Sequence, residues 1–559
     1  VTPEPTAPTV PPATSPEPLA AAGASSTTLR QRIDDFTTRP GVPWAGALLL
    51  AVVAFLVRLV RIGEPHSFAF DETYYAKHGL SLLQHGYVLH SPDGADAQIL
   101  SGVTTGSGVW DDYPEMIAHP EVGKWLIAAG EWIGGMDPTG WRLASGAIGA
   151  LMVLLMCRFA TRITGSVLLG WIAGLVLSLD GLHLVLSRLA LLDIFLAFFL
   201  LGGVHSLVAD RQWLRRRMDA DVDPRTRGGA ASWGPRLFWR PWLLVAGVWF
   251  GLAVGTKWTA LYPLALFGVW IWFAAAVERH RRGTRFAVGR SAITDGPVAF
   301  LSLVGVAFVV YLVSWTGWLV HAEEYEETLS NTQYSTFDGR AQWSTATEPD
   351  ADGLGEVVQS LKSLAYYHRD VYTFHTQFLN DSTHDYASSP IGWPLINRPV
   401  GVDAQLDIQP GDQGCEAAEG STCMRQVLLL GNPVIWWGGS LAVLACLVLW
   451  IARRDWRFGV PVLGVAATWL PWLQYEARTI FYFYSIAFLP FMVLALVLCL
   501  GAAIGPKRGP STRRTVSAVV AGLFLIVAIA LFAFFWPIWT DQLITYDEWS
   551  SRMWLKDWI

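Results

Sequence analysis

Charge is scarce in this sequence: Asp, Glu, Lys and Arg make up 15% of 559 residues, while 52% are hydrophobic and the mean hydropathy is +0.36. Soluble domains carry roughly a quarter charged residues, so an ordinary water-soluble protein is excluded and much of the chain must face lipid. Lys and Arg are missing altogether from the first 29 residues, a Pro-, Ala-, Thr- and Ser-rich tract. It lacks the charged and apolar regions of a signal peptide and reads as part of a disordered cytoplasmic tail over residues 1–40. The five cysteines show no metal-binding spacing, and Cys157, Cys446 and Cys499 fall in or at the ends of apolar segments. No glycine-rich nucleotide loop is present, which argues against a soluble nucleotide donor, and no nucleic-acid partner is expected.

What is abundant is long apolar sequence. Eleven segments can be placed: Trp44–Leu59, Leu143–Met156, Ser166–Leu179, Leu191–Val208, Trp242–Thr256, Trp258–Val277, Pro297–Leu319, Pro433–Ile451, Gly459–Leu473, Ile480–Ile504 and Val516–Trp539. A span needs about 20 apolar residues, so the shorter ones are tilted or extended by their neighbours. Arginine and lysine crowd four connections, at 211–240, 279–290, 453–457 and 507–514, all on one side of an eleven-span count. By the positive-inside rule that side is the cytoplasm, with the N-terminus inside and the C-terminus outside, as in a multi-pass plasma-membrane protein. The opposite side receives two long segments, Ile62–Trp141 and Val320–Asn432. Cys415 and Cys423 lie there, where a disulfide persists, and are expected to pair. The expected organisation is a transmembrane module over 41–319, an outer loop region over 320–432 and a four-helix module over 433–559.

The chemistry is sought on that outer side. Phe70-Asp71-Glu72-Thr73-Tyr74-Tyr75 opens the first outer segment, and an isolated acidic pair is most often a solvated loop charge. The aromatic neighbours argue instead for a partly buried site in which a carboxylate serves as general base. His119-Pro120-Glu121-Val122-Gly123-Lys124 and Trp141-Arg142 follow. Basic residues at helix ends commonly snorkel, yet Lys124 and Arg142 lie on the side that disfavours them, and a cation kept there can hold an anion such as a lipid phosphate. Asp193, Lys257 and Arg478 interrupt apolar sequence at its outer ends, and Arg188 with Asp193 is either part of the site or a structural pair. His375 and His384 are nine residues apart, which is no zinc spacing, and positioning or packing is the favoured reading. Asp71 and Glu72 either bind a divalent cation such as Mg or Mn or act without a cofactor.

These motifs together resemble the protein O-mannosyltransferases, integral membrane glycosyltransferases of the GT-C class. The resemblance rests on Asp71-Glu72, His119 to Lys124, Trp141-Arg142, Ser187-Arg188 through Asp193, Lys257-Trp258, the stretch from His375 to Pro399, and Asn432-Pro433 with Trp436-Trp437. It implies an all-α polytopic membrane protein of the GT-C fold, with about eleven transmembrane helices and two long extracytoplasmic loops bearing short helices. It further implies transfer of mannose, with inversion, from a polyprenyl-phosphate-mannose donor to Ser or Thr of exported proteins. Asp71 would be the base or acceptor-orienting carboxylate and Glu72 its support. Arg142 matches a functionally important family position, with Lys124, Lys257 and Arg478 as candidates for phosphate contact. His119, Arg188, Asp193, His375 and His384 would support the site or the acceptor, and membrane lipid and the Sec translocon are the expected neighbours. The Val320–Asn432 segment is too short for the β-trefoil domain of eukaryotic members, so the resemblance is to the bacterial branch, and the Arg and Ala usage with the Pro-rich tail points to its actinobacterial members. Three rivals are a GT-C enzyme with a lipid or polysaccharide acceptor, a secondary transporter, disfavoured because no internal repeat is evident, and a structural scaffold lacking activity.

Overall fold

The computed structural model describes residues 35–220, 233, 236–380, 382–505 and 511–559. Most of the tail expected over residues 1–40 therefore lies outside the described residues. The chain divides into a short unit, Val1–Pro43, and a body, Trp44–Ile559. In the short unit, residues 35–38 form a helical turn.

Among the described residues, seven helices are long and apolar enough to cross a membrane. They are α1 (Val42–Leu59), α4 (Pro138–Thr164), α6 (Leu192–Ala220), α8 (Leu261–Arg281, entered through a 3-10 turn from Trp258), α9 (Gly296–Val313), α11 (Pro433–Arg453) and α14 (Thr512–Trp539). Three shorter apolar helices are α5 (Val167–Ser178), α7 (Pro241–Val254) and α13 (Leu489–Ile504), and α12 (Trp456–Trp469) covers the segment expected over 459–473. Each of the eleven apolar segments thus coincides with helix, though not every helix is long enough alone to span. One boundary differs. The segment expected from Ile480 begins as extended chain and a 3-10 turn, Tyr482–Ala487, and becomes α-helical only at Leu489.

Burial separates the roles of the long helices. The apolar window of α6 is 94% buried, whereas those of α1 and α14 are 22% and 17% buried. Helix α6 is therefore the axis of the bundle, and α1 and α14 present their sides to lipid. Glycine permits the closest packing: Gly170 and Gly174, four apart on α5, face α4, and a Cβ on Gly174 would stand 2.2 Å from the Cys157 sulfur. Small residues at that spacing let membrane helices approach without side chains between them. Helix starts follow local chemistry, with Asp137 and Ser166 capping α4 and α5 through bonds from Gly140 N and Leu169 N.

The outer segments carry α2 (Glu72–His85), α3 (Val122–Gly134) and α10 (Leu354–Thr373). They also carry a three-stranded antiparallel sheet that the all-helical expectation did not include. Strand β1 (Val400–Ile408) pairs with β2 (Cys423–Leu429), and β2 pairs with β3 (Ile544–Thr545), which follows α14. Cys415, in the β1–β2 connection, forms a disulfide with Cys423, the first residue of β2. Because β3 joins this sheet, the C-terminal residues and the second outer segment lie on one side of the bundle; Arg398 also donates to the Asp557 and Ile559 carbonyls.

Candidate active site

Adjacent residues of the Asp71-Glu72 pair point to different environments. Phe70 adopts φ 54°, a left-handed conformation that bulky residues avoid, and its ring is held edge-on by Phe481, Phe483 and His384. From there the chain enters α2. Glu72 is wholly buried and accepts four hydrogen bonds, from Arg142 Nε and Nη2 (2.8 and 2.7 Å) and from the backbone N–H of Ala69 and Ala190 (2.9 and 2.8 Å). Arg142, also fully buried, turns its remaining donors on the carbonyls of Ile62, Pro65 and Ser67. The expectation of a phosphate contact at Arg142 is therefore not what the geometry gives: the guanidinium is saturated within the protein and organises the loop that carries Asp71. A buried ion pair is stable only when so fully bonded.

Asp71 is held far more lightly, its side chain engaged by the Tyr75 hydroxyl. It is the N-cap residue of α2, yet its side chain makes no capping bond. Its carboxyl is pushed up to about 6, chiefly by burial, with Asp193 adding to the rise while Lys257 and the Tyr75 hydroxyl pull down. Asp71 is not itself among the residues lining the cavity described next, but its electrostatic neighbours Lys257 and Asp193 are.

A cavity of about 370 Å³ opens beside α6, α8 and α10. Its outer part is lined by His119, Asp193, Lys257, His375, Arg478 and Tyr484, and its deeper part by Leu196, Leu200, Leu261, Thr468 and Ala487. Along α6, Leu196 and Leu200 succeed Asp193 at one-turn intervals, so the cavity descends from a polar mouth into the apolar bundle. Lys257 Nζ bonds Asp193 Oδ2 at 2.8 Å and sits 5.1 Å from the centre of the Tyr484 ring. His375 donates from Nε2 to the Ala118 carbonyl at 3.1 Å, which leaves Nδ1 to accept from Arg478 Nη1 at 3.3 Å. That tautomer requires a neutral ring, and burial first, with Arg478 and Lys257 adding, holds His375 down at about 4. His119 stacks on His375 at 5.4 Å and is likewise depressed by burial. Arg478 Nε has no hydrogen-bond partner among the described residues. The site thus offers cationic donors to an anion, an apolar floor to a hydrocarbon, and a carboxylate of raised affinity for protons.

Other expected residues stand elsewhere. Arg188 bonds the carbonyls of Trp539, Val60 and Arg61 rather than Asp193, which resolves the open question of their pairing: Asp193 belongs to Lys257. Lys124 and Glu121 are buried at the start of α3 and do not line the cavity, and the Lys124 ammonium has no hydrogen-bond partner among the described residues; burial lowers the lysine and raises the carboxyl. His384 is exposed, with Nδ1 accepting from Tyr386 N, and packs on Phe70 and Phe481. No group of three metal-ligating side chains occurs among the described residues, and Glu72, already accepting four N–H bonds, has no open coordination to share with Asp71. Sequence reasoning missed Tyr262, Tyr372, Tyr475 and Tyr484 in the lining. Tyr484 was hidden because the run Phe481-Tyr482-Phe483-Tyr484 reads as the start of a span; two aromatic hydroxyls in such a run were the available signal.

Comparison with known proteins accords with this geometry. Residues 48–284 match the family described as dolichyl-phosphate-mannose-protein mannosyltransferase, and residues 360–558 match the C-terminal four-transmembrane region of protein-O-mannosyltransferase. The polyprenol-phosphate-mannose–protein mannosyltransferase of Mycolicibacterium smegmatis is 33% identical over 92% of this chain and 93% of its own length. That of Corynebacterium glutamicum is 29% identical, with 94% of each chain covered. The solved Saccharomyces cerevisiae protein O-mannosyltransferase Pmt1-Pmt2 complex bound to the sugar donor superposes with a TM-score of 0.62 at 15% identity, covering 92% of both chains. That likeness fixes the GT-C fold of a multi-pass membrane protein, and the relatives fix the lineage: the chain belongs to the polyprenol-phosphate-mannose–protein mannosyltransferase family.

Proposed function

We propose that the chain transfers mannose from a polyprenyl-phosphate-mannose donor to Ser and Thr hydroxyls of exported proteins, on the extracytoplasmic face of the plasma membrane. The N-terminus is then cytoplasmic, the first outer loop over 62–141 carries the base, and acceptors arrive as they leave the Sec translocon. The observation that carries the reading is the cavity with a cationic mouth and an apolar floor, whose Lys257 and Asp193 are also the electrostatic neighbours of the Asp71 carboxylate. A lipid-linked sugar phosphate has that polarity along its length: the sugar phosphate sits among Arg478, Lys257 and His119, and the prenyl chain follows Leu196 and Leu200.

In this mechanism Asp71 takes the proton of the acceptor hydroxyl while its oxygen attacks the anomeric carbon. The bond from that carbon to the phosphate oxygen breaks on the opposite face, inverting the centre. Arg478 and Lys257 offset the charge that grows on the departing phosphate. Asp193 holds Lys257 in place, and His375 holds Arg478. Asp71→Asn removes the base and is expected to lower mannosyl transfer to a Ser/Thr peptide by about 10²–10⁴-fold in isolated membranes, at unchanged protein level. Near wild-type transfer in that variant would refute the assignment.

A further inference from the structure

A separate crevice of about 280 Å³ lies between the loop that leads to Asp71 and the sheet. Residues 64–67 form one bank and residues 403–405 of β1 the other, and Arg425 of β2 and Asp541, just past the end of α14, complete the lining. The pairing of β1 with β2 is irregular between Gly401 and Asp403, and a bulge of this kind re-aims a side chain. Asp403 accepts from the Ser67 hydroxyl at 3.3 Å, which ties the sheet to the loop. Asp541 has φ 55°, a left-handed conformation that Asp adopts more readily than most residues. Arg61 donates to the Thr540 and Asp541 carbonyls and so fixes that turn.

The lining is short of positive charge. Glu64, Asp403 and Asp541 bring three carboxylates to it, Arg425 is its only Lys or Arg, and His66 is exposed. Arg425 does not satisfy them: its Nη1 stands 3.7 Å from Asp541 Oδ2, beyond hydrogen-bond length, and its Nε has no partner among the described residues. Asp541 is only 3% exposed, and its Oδ1 also lacks a partner there. A buried carboxylate oxygen without a donor is costly, and in a lining it calls for a donor from outside. The Asp541 carboxyl is pushed up to about 6, by burial first and by Asp403 next, with Glu64 adding and Arg425 and Arg61 pulling down. No three metal-ligating side chains converge among the described residues, which leaves an organic cation, whose several N–H groups can reach separated oxygens.

Size and place narrow the choice of cation. Pockets for whole small-molecule ligands run from about 300 Å³ upward, so a single side chain suits this crevice better than a complete ligand. Strand β1 is an edge of the sheet, and Ala404, Gln405 and Leu406 are exposed, so an extended polypeptide meets unpaired backbone groups beside the crevice. Ser67 precedes Asp71 by four residues, at most about 14 Å of chain. An extended polypeptide covers that distance in about four residues. Resting on the proposed protein acceptor, we infer that the crevice is a subsite for a basic side chain of the acceptor polypeptide, whose N–H groups are received by Asp541, Asp403 and Glu64. The enzyme then favours Ser and Thr that have an Arg or Lys within about four residues. No covalent step is involved.

The test uses fluorescent Ala-rich peptides with one Thr and, at each of the positions up to about four residues either side of it, a single Arg or its uncharged counterpart norleucine. Binding to the full-length protein in detergent micelles is measured without donor. At the best register the Arg peptide is expected to bind about tenfold tighter than the norleucine peptide, as a charge-assisted hydrogen bond implies. Asp541→Asn is expected to remove that difference and leave the affinity of the norleucine peptide unchanged. Glu64→Gln, at a half-buried position, is expected to reduce the difference and serves where the Asp541 variant does not fold. Equal affinity of the two peptides at every position, or a full Arg advantage in both variants, overturns the subsite. Argininamide that binds as tightly as the best peptide overturns the polypeptide assignment. Calcium chloride alone probes an inorganic cation: calcium binding that Asp541→Asn abolishes, with equal affinity of the two peptides, overturns the subsite too. Mannosyl transfer to the same peptides is then compared by KM. Selective binding of the Arg peptide without any transfer would count against the proposed function and leave the subsite standing.

Discussion

Asp71 and Glu72 are neighbours with the same chemistry and opposite fates. Glu72 is enclosed by four N–H donors and bears no free lone pair towards the cavity; Asp71 makes no capping bond and faces Lys257, Asp193 and Tyr75. The difference teaches how two adjacent carboxylates can be divided: one is bonded to exhaustion to shape a loop, and the other keeps few partners, which is what the base role proposed for Asp71 requires. The same contrast separates Arg142, saturated by Glu72 and three carbonyls, from Arg478, whose Nε has no partner among the described residues.

The comparison can be broken from both sides. The largest effect is expected at Asp71, where the asparagine variant loses transfer but keeps its fold. Glu72→Ala should do the reverse, since removing one partner of a buried pair costs about 3–5 kcal/mol; a lowered thermal midpoint and protein level would show it, and an intact midpoint would contradict the role. Arg478→Ala removes a charged donor worth about 1.5–3 kcal/mol, and a raised donor KM at little-changed midpoint is the expected result, whereas Arg142→Ala should lose the protein instead. The next effect is in pH dependence. Asp71 must be ionised to act as base, and its carboxyl is raised to about 6, so kcat/KM should be level above that pH and fall about tenfold per unit below it. Because Lys257 pulls the Asp71 carboxyl down, Lys257→Met should move this limb to higher pH; an unmoved limb would mean that another group titrates. The smallest effect belongs to His375→Phe, which removes one acceptor from Arg478 and should raise donor KM by the value of a single hydrogen bond, about 0.5–1.5 kcal/mol.

The spans were legible because lipid leaves the backbone no alternative to helix, so hydropathy alone places them. The sheet was not legible, since β3 is two residues long and exists only because the chain returns to β2 after α14. The start of α13 was misplaced for a related reason: Tyr482 to Ala487 are apolar enough for a span yet form a 3-10 turn packed beside the cavity. At the site, Asp193, Lys257, His119, His375 and Arg478 are ionisable residues where ionisation is costly, which is why sequence alone singled them out. Sequence could not separate Arg142 from Arg478, because both are arginines near the outer surface and only the partners count. Nor could it foresee that Lys124 is buried away from the cavity, since a helix face is fixed by packing.

One bond described above ties two parts of the machinery to a common datum. Glu72 accepts from the N–H of Ala190, three residues before Asp193, and Asp193 in turn holds Lys257. The loop bearing Asp71 and the start of α6 are thereby surveyed from the same benchmark, the Glu72 carboxylate on the Ala190 N–H, and the Asp193–Lys257 pair extends the line to the cavity. A displacement of the start of α6 is therefore passed to the loop that carries Asp71 through a single carboxylate.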